Sequence, residues 1–199
     1  MKIAVYGGAF NPVHLGHKQI VEQLQSNYNF DKILVIPSKI SPHKSSKNLV
    51  SAEHRLNMCK LAFENINTCE ICDIEIKNEG VSYTYKTLEM LEDTYKDAEF
   101  YLVCGSDMFL SLLNWKEYKK LFSYAKIIAF IRDNESISII NDYKERIEEY
   151  GAKVEICKAE ILPYSSTLIR ELIINNYNFE KYVSKEVYNY IKEHNLYKN

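Results

Sequence analysis

The chain has 199 residues, 25 basic against 27 acidic, a formal charge of −2 and 46% hydrophobic residues. That length suits one domain with a proper core, and the near-neutral charge argues against a broad basic face for nucleic acid or acidic lipid. The apolar content, with 13% aromatics and four prolines, excludes an intrinsically disordered chain, and every apolar run falls short of the about 20 residues that span a bilayer.

In chain order, Lys2–Tyr6 reads as a short strand ending in Gly7-Gly8. A helix is expected from about Leu15 to Asn27, with Ile20, Val21 and Leu24 on its apolar face. Lys32–Ile36 is the next strand, stopped by Pro37, and the polar stretch Ser38–Leu49, with Pro42, His43 and several lysines, reads as a surface loop. Ser51 suits the N-cap of a helix through about Glu64 with Leu56, Cys59 and Phe63 inward. Glu70–Ile76 alternates in part and is predicted as a strand, and Ser82–Tyr95 has helical spacing. Phe100–Cys104 and Lys126–Ile131 are buried strands, followed by a helix near Ile139–Tyr150, a strand at Val154–Cys157, and helices near Ser166–Asn175 and Ser184–His194. Strands alternating with helices imply an α/β fold: an open, mostly parallel sheet with helices on both faces, whose ligands lie beyond the carboxyl ends of the strands. No repeat or Gly/Ser linker divides it, so residues 1–199 are expected to form a single domain, with 176–199 a C-terminal helical extension packed on it.

Five cysteines, an odd number, argue against a closed disulfide framework. Cys69 and Cys72 form an isolated C-x-x-C in a segment read as a strand, where residues three apart point to opposite faces, and no second pair at metal-ligand spacing accompanies them. They read as ordinary thiols, and no protein metal site is expected. The first residues, Met1–Tyr6, lack a signal peptide's long apolar stretch and small-residue cleavage site, so a reduced, cytoplasmic protein is expected.

The strongest chemical signal is Gly7-Gly8-Ala9-Phe10-Asn11-Pro12-Val13-His14-Leu15-Gly16-His17, between the first strand and the first helix. Glycines let the backbone approach an anion closely, and a helix N-terminus adds a positive dipole end. His14 and His17, three apart on the entry turn, can converge and donate hydrogen bonds to phosphate oxygens. The string is neither a dinucleotide-binding G-x-G-x-x-G nor a P-loop. Near the other end, Ser165-Ser166-Thr167 offer hydroxyls at a helix start and Arg170 follows one turn later. Alone, those residues read as an ordinary cap and a solvated charge.

These two elements resemble the G-x-F-x-P-x-H-x-G-H and I-S-S-T-x-I-R signatures of the nucleotidylyltransferase superfamily, with Tyr164 in place of the usual leading aliphatic residue of the second. Pro42-His43-Lys44, Arg55 and Met58, Ser82-Tyr83-Thr84 with Thr87-Leu88, Gly105-Ser106-Asp107 and Trp115 resemble, in order and spacing, the bacterial nicotinate-mononucleotide adenylyltransferase branch. The resemblance implies a Rossmann-like H-x-G-H nucleotidylyltransferase fold and an enzyme that transfers AMP from ATP to nicotinate mononucleotide, giving deamido-NAD and pyrophosphate in NAD biosynthesis. It implies catalytic roles for His14, His17, Lys44 and Arg170, and ATP contacts from Gly7, Gly8, Ala9, Phe10, Gly105, Ser165, Ser166 and Thr167. It further implies mononucleotide contacts from Lys44, Ser82, Tyr83, Thr84, Asp107 and Trp115. Each of these has a plainer reading beside it: Lys44 a solvated loop lysine, Thr84 and Asp107 helix caps, Trp115 core. Lys116 departs from relatives that carry an aromatic residue there.

Mg²⁺ is expected with ATP, through the nucleotide's own oxygens, because no carboxylate cluster lies near these motifs. Nucleic acid and membrane are not expected as partners, and a homo-oligomer is left open. The alternatives are an adenylyltransferase for another phosphate acceptor, nicotinamide mononucleotide or phosphopantetheine, and a non-catalytic nucleotide-binding module on the same fold.

Overall fold

In the computed structural model, which describes residues 1–40, 49–131, 137–158 and 162–198, the short β-branched runs form strands and the amphipathic stretches between them form helices. In chain order these are β1 (Lys2–Gly8), α1 (Leu15–Asn27), β2 (Lys32–Pro37), α2 (Ala52–Phe63), β3 (Cys69–Ile71), α3 (Ile74–Lys77), α4 (Thr84–Thr94) and β4 (Glu99–Gly105). They continue as α5 (Ser106–Phe109), α6 (Tyr118–Tyr124), β5 (Ala125–Ile131), α7 (Ile137–Glu148), β6 (Val154–Lys158), α8 (Ser166–Ile174) and α9 (Lys185–Glu193). Pro42, His43 and Lys44 lie outside the described residues.

The strands form one sheet in the order β3-β2-β1-β4-β5-β6, and each neighbouring pair is parallel. This is the Rossmann-like α/β fold. The strand order reverses between β1 and β4, so the chain leaves their carboxyl ends toward opposite faces and opens a crevice between Gly8 and Gly105.

Both faces of the sheet are buried, and alternation along each strand sends successive side chains to two cores. Ala4 and Tyr6 of β1, Ile33 and Val35 of β2, and Ile128 and Phe130 of β5 face one core, which α1, α2, α8 and α9 cover with Leu24, Phe63, Ile169 and Ile191. Ile3, Val5, Leu34, Ile36, Ile127 and Ala129 face the other, covered by Leu88 and Leu91 of α4, Phe109 of α5, Leu121 of α6 and Ile147 of α7. Phe63 is 2% exposed, and truncating such a ring to alanine costs about 3–5 kcal/mol. The C-x-x-C obeys the same geometry: Cys69 packs on the first core and Cys72 on the second, and both thiols are free.

Serine side chains set three helix starts. Ser51 accepts from the His54 N–H, Ser165 from Leu168 and Ser184 from Val187. Helix α9 lies against α2, where the Tyr190 hydroxyl shares a 3.0 Å hydrogen bond with His54 Nδ1 and accepts one from Asn57 Nδ2 at 3.2 Å.

Two expectations are corrected. The segment Glu70–Ile76 is not one strand. β3 ends at Ile71, the Cys72 N–H makes a last bond to the Val35 carbonyl, and the Asp73 carbonyl then accepts from Ile76 and Lys77 to wind α3. Alternation over so few residues fits a single helical turn as well as a strand. On α2, Cys59 and Phe63 are buried as expected, but Leu56 is only half-buried, and Arg55 and Met58 are fully buried instead. Among the described residues no helix is long and apolar enough to cross a membrane.

Candidate active site

The crevice at the β1/β4 switch is a cavity of about 870 Å³, within the size range of sites that enclose small organic ligands. Its floor is backbone. A Cβ on Gly7 or Gly105 would meet no protein atom within 4 Å, because both positions face the open space of the cavity. Gly8 and Gly16 are glycine for the opposite reason. A Cβ on Gly8 would stand 3.0 Å from the Phe10 ring, and one on Gly16 3.1 Å from the Leu162 carbonyl and 3.2 Å from the His14 ring. The turn between them also places Phe10 at φ 45°, left-handed backbone that side-chain-bearing residues seldom adopt.

This turn delivers two histidines to the start of α1. The His14 and His17 rings stack, with centroids 3.7 Å apart and planes at 27°. The His14 backbone N–H donates to His17 Nδ1 at 3.2 Å. With Nδ1 accepting, the proton of the neutral His17 ring sits on Nε2, so that nitrogen is a donor. Phe10 packs its ring on His17 at 5.0 Å and holds the imidazole from the other side.

Beside this turn stands the amino end of α8. Arg170 donates from Nη1 to the Asn11 carbonyl at 2.8 Å and from Nη2 to Thr167 Oγ1 at 3.3 Å. A guanidinium has five N–H donors, so these two bonds leave others for an anion while aiming the group. Ser165 Oγ accepts from Leu168 N, and Ser166 Oγ donates to the Pro12 carbonyl at 2.9 Å. Ser166 thereby ties α8 to the glycine-rich turn. Two helix N-termini, those of α1 and α8, therefore border one cavity, and each adds a partial positive charge there.

Asn11 joins these parts. Its carbonyl oxygen receives Arg170, and its side-chain Oδ1 accepts from Val50 N at 3.3 Å and from the Tyr197 hydroxyl at 3.0 Å. The peptide between Asn11 and Pro12 is cis.

The far half of the cavity is built by other elements. Ser82, Thr84, Asp107 and Trp115 line it, from the start of α4 and from the segment after β4. Trp115 is 8% exposed and donates from Nε1 to Ser111 Oγ at 3.0 Å, which fixes the indole plane. Asp107 is exposed at the rim. Tyr83 does not line the cavity: Lys116 Nζ lies 4.7 Å from its ring centroid, so these two neighbours engage each other. The side chains of successive residues at a helix start point in different directions, which separates Tyr83 from Ser82 and Thr84.

The cavity thus gathers Gly7, Gly8, Ala9, Phe10, His14, His17, Gly105, Ser165, Ser166, Thr167 and Arg170 with Ser82, Thr84, Asp107 and Trp115. Tyr83 stays outside, and Lys44 lies outside the described residues. Sequence reasoning named Asn11, Arg55 and Thr87 only as parts of motifs, without a role of their own, and did not single out Glu75 or Tyr197. Arg55 is fully buried and Glu75 is 9% exposed. Burial raises the Glu75 carboxyl above its ordinary range, against hydrogen bonds from Thr87 and Ser82 and the charge of Arg55. Nothing in the local pattern distinguishes these two from surface charges.

Cys104 also lines the cavity, but burial pushes its thiol up to about 12, so it is no nucleophile. Among the described residues no three His, Cys, Asp or Glu side chains stand close enough to hold a metal ion. A divalent cation at this site has phosphate oxygens and water as its natural ligands.

Residues 5–172 match the family model described as cytidylyltransferase-like, and the chain belongs to that family. It is 41% identical over 189 residues to a protein of Fusobacterium nucleatum described as a probable nicotinate-nucleotide adenylyltransferase, covering 94% of this chain and 95% of the relative. A Clostridium novyi protein of the same description is 34% identical over 198 residues, 99% of each chain. In structure the chain is similar to a Plasmodium falciparum nicotinic acid mononucleotide adenylyltransferase complexed with NaAD, with a TM-score of 0.80 at 22% identity over 98% of this chain and 97% of that one. At that identity the likeness speaks for the fold.

Proposed function

We propose that this member of the cytidylyltransferase-like family transfers AMP from ATP to nicotinate mononucleotide, releasing pyrophosphate and giving deamido-NAD. The observation that carries the reading is one continuous cavity with anion donors at one end, His14, His17 and Arg170, and a hydroxyl-and-indole pocket, Ser82, Thr84 and Trp115, at the other. Relatives covering nearly the whole chain carry the same description.

In this reading ATP enters as its magnesium complex. The glycine floor and the α1 N-terminus receive the triphosphate. A 5′-phosphate oxygen of the mononucleotide attacks the α-phosphorus in line. The bond from that phosphorus to the bridging oxygen breaks, and pyrophosphate leaves with the electron pair. The nucleophile is already an anion near neutral pH, so no general base is required. Catalysis is positioning and charge stabilisation. His17 donates from Nε2 to the α-phosphate, and stacked His14 holds its ring. Arg170, aimed by Asn11 and Thr167, receives the charge growing on the leaving pyrophosphate. Ser165 and Ser166 secure the start of α8, and Trp115 offers an aromatic face to the nicotinate ring. Lys44 is proposed as a further phosphate contact, from the motif alone. The residues act as one domain over 1–199, in the cytoplasm, with 176–199 supporting the phosphate turn.

The test is pyrophosphate release from ATP with nicotinate mononucleotide, nicotinamide mononucleotide or phosphopantetheine in parallel. Turnover highest with nicotinate mononucleotide supports the reading. A marked preference for either other acceptor moves it to that acceptor, and ATP binding without turnover on any of the three overturns it in favour of a binding module.

A further inference from the structure

Histidine aside, Arg55 and Glu75 are the buried titratable side chains of the described residues that carry a formal charge. Arg55 spreads its guanidinium over three carbonyls: Ala9 at 2.8 Å, Lys39 at 3.2 Å and, through Nε, Val50 at 3.2 Å. The other side of the Lys39 residue is held too, since its N–H donates to Ser82 Oγ at 3.1 Å. The Ser82 hydroxyl stands beside the Glu75 carboxyl and favours its charged form. Thr87, 2% exposed on α4, donates to Glu75 Oε1 at 2.7 Å. A line of polar contacts therefore runs from a buried cation through Lys39 and Ser82 to a buried anion and on to α4.

We propose that Glu75, with Arg55 as its counter-charge across Lys39, is a positioning residue that sets the acceptor half of the cavity by fixing Ser82 and the first turns of α4. The inference rests on the function proposed above and adds residues that belong to neither phosphate motif, of which only Arg55 touches one. Stability does not explain the pair, since exchanging buried charges for apolar side chains of similar volume is often neutral or stabilising. Direction does explain it. A carboxylate accepts two hydroxyls at once, and those two hydroxyls belong to the loop before α4 and to its first turn. Lys39 N–H holds the Ser82 oxygen, and the Glu75 carboxyl beside it offers the hydroxyl proton an acceptor. Arg55 also reaches Ala9 in the phosphate turn, whereas Glu75 reaches only the acceptor side. The two residues should therefore separate in kinetics.

The test is steady-state kinetics on the full chain with ATP and nicotinate mononucleotide varied in turn, for wild type, Glu75→Gln, Thr87→Val, Thr87→Ser and Arg55→Lys. Glu75→Gln and Thr87→Val should raise KM for the mononucleotide about tenfold while KM for ATP and kcat stay within about twofold to threefold. Thr87→Ser, which keeps the donor, should hold the mononucleotide KM within about twofold of wild type, and Arg55→Lys should raise both KM values. Unchanged mononucleotide KM in Glu75→Gln and Thr87→Val overturns the proposal, as does an equal rise of both KM values accompanied by a lower Tm. Should Glu75→Gln fail to fold, the Thr87→Val and Thr87→Ser pair decides by the same criterion. A wild type that releases no pyrophosphate overturns the function itself and this inference with it, and is seen before any variant is read.

Discussion

The two halves of the cavity are built on different principles. The phosphate half is local: the glycine floor, the stacked histidines and the start of α1 come from one run of eleven residues, and α8 adds a second helix start. Its donors are fixed first by near neighbours, such as His14 N–H on His17 Nδ1 and Thr167 on Arg170, and then by the two contacts that seat α8 on the turn, Arg170 on Asn11 and Ser166 on Pro12. The acceptor half has no such run. Ser82 is held by Lys39, 43 residues away, Thr87 by Glu75, and Trp115 sits between them on a separate segment. The first half is a locally built frame that late elements complete, whereas the second is assembled throughout from separate segments.

If the halves divide the chemistry as they divide the structure, substitutions in the first should act on kcat and those in the second on KM for the acceptor. The largest effect is expected for His17→Ala. Removing one preorganised donor to the transferring phosphate should lower kcat about 10²–10³-fold, measured as pyrophosphate release at saturating ATP and mononucleotide. A kcat near wild type would break the division at once. Next comes Trp115→Ala, whose lost stacking face is expected to raise the mononucleotide KM by roughly 5–150-fold, equivalent to about 1–3 kcal/mol. An unchanged KM with a lower Tm would return the indole to a purely packing role in the second core.

A smaller effect sharpens the comparison through pH. Burial raises the Glu75 carboxyl above its ordinary value of 4.5. The folded chain therefore holds that proton more tightly than the unfolded one. This contribution to stability is full below about 4.5 and is lost as pH rises through the folded value. Glu75→Gln, which stays neutral, escapes that loss. Its Tm relative to wild type should accordingly climb as pH is raised from about 4 to about 8. A difference independent of pH would show that the carboxyl titrates alike in both states. Together with the expected rise in acceptor KM, a climbing Tm difference would make position 75 a site where stability is given up for binding. The smallest effect belongs to the phosphate half: Ser165→Ala removes the cap of α8 and should cost about 1 kcal/mol, or roughly 2–4 °C in Tm by scanning calorimetry.

The same contrast explains what could be read in advance. Strands, the larger helices, the parallel sheet and the phosphate half were legible because each depends on residues adjacent in sequence: a short apolar run for β1, a serine cap for α8, glycines before His14. The acceptor half was legible only in its motif residues, and one of these, Tyr83, turns away to Lys116. Arg55 and Glu75 were illegible as buried groups because α2 and α3 turn them inward against their polarity, for the sake of partners at Ala9, Lys39 and Thr87. The strand expected through Ile76 failed on the same segment, where alternation admitted a helical turn and Glu75 lies on it.

Asn11 belongs to the first element pair to be synthesised, yet the hydroxyl on its side chain comes from Tyr197, 186 residues later, and the guanidinium on its carbonyl from Arg170, 159 residues later. At about 5–20 residues per second, roughly 10–40 s separate the making of this turn from the making of its last support. During that interval the nascent chain carries an unfinished phosphate turn. Nucleotide affinity should therefore arrive late and abruptly in biosynthesis, after the strands on either side of the turn are already paired.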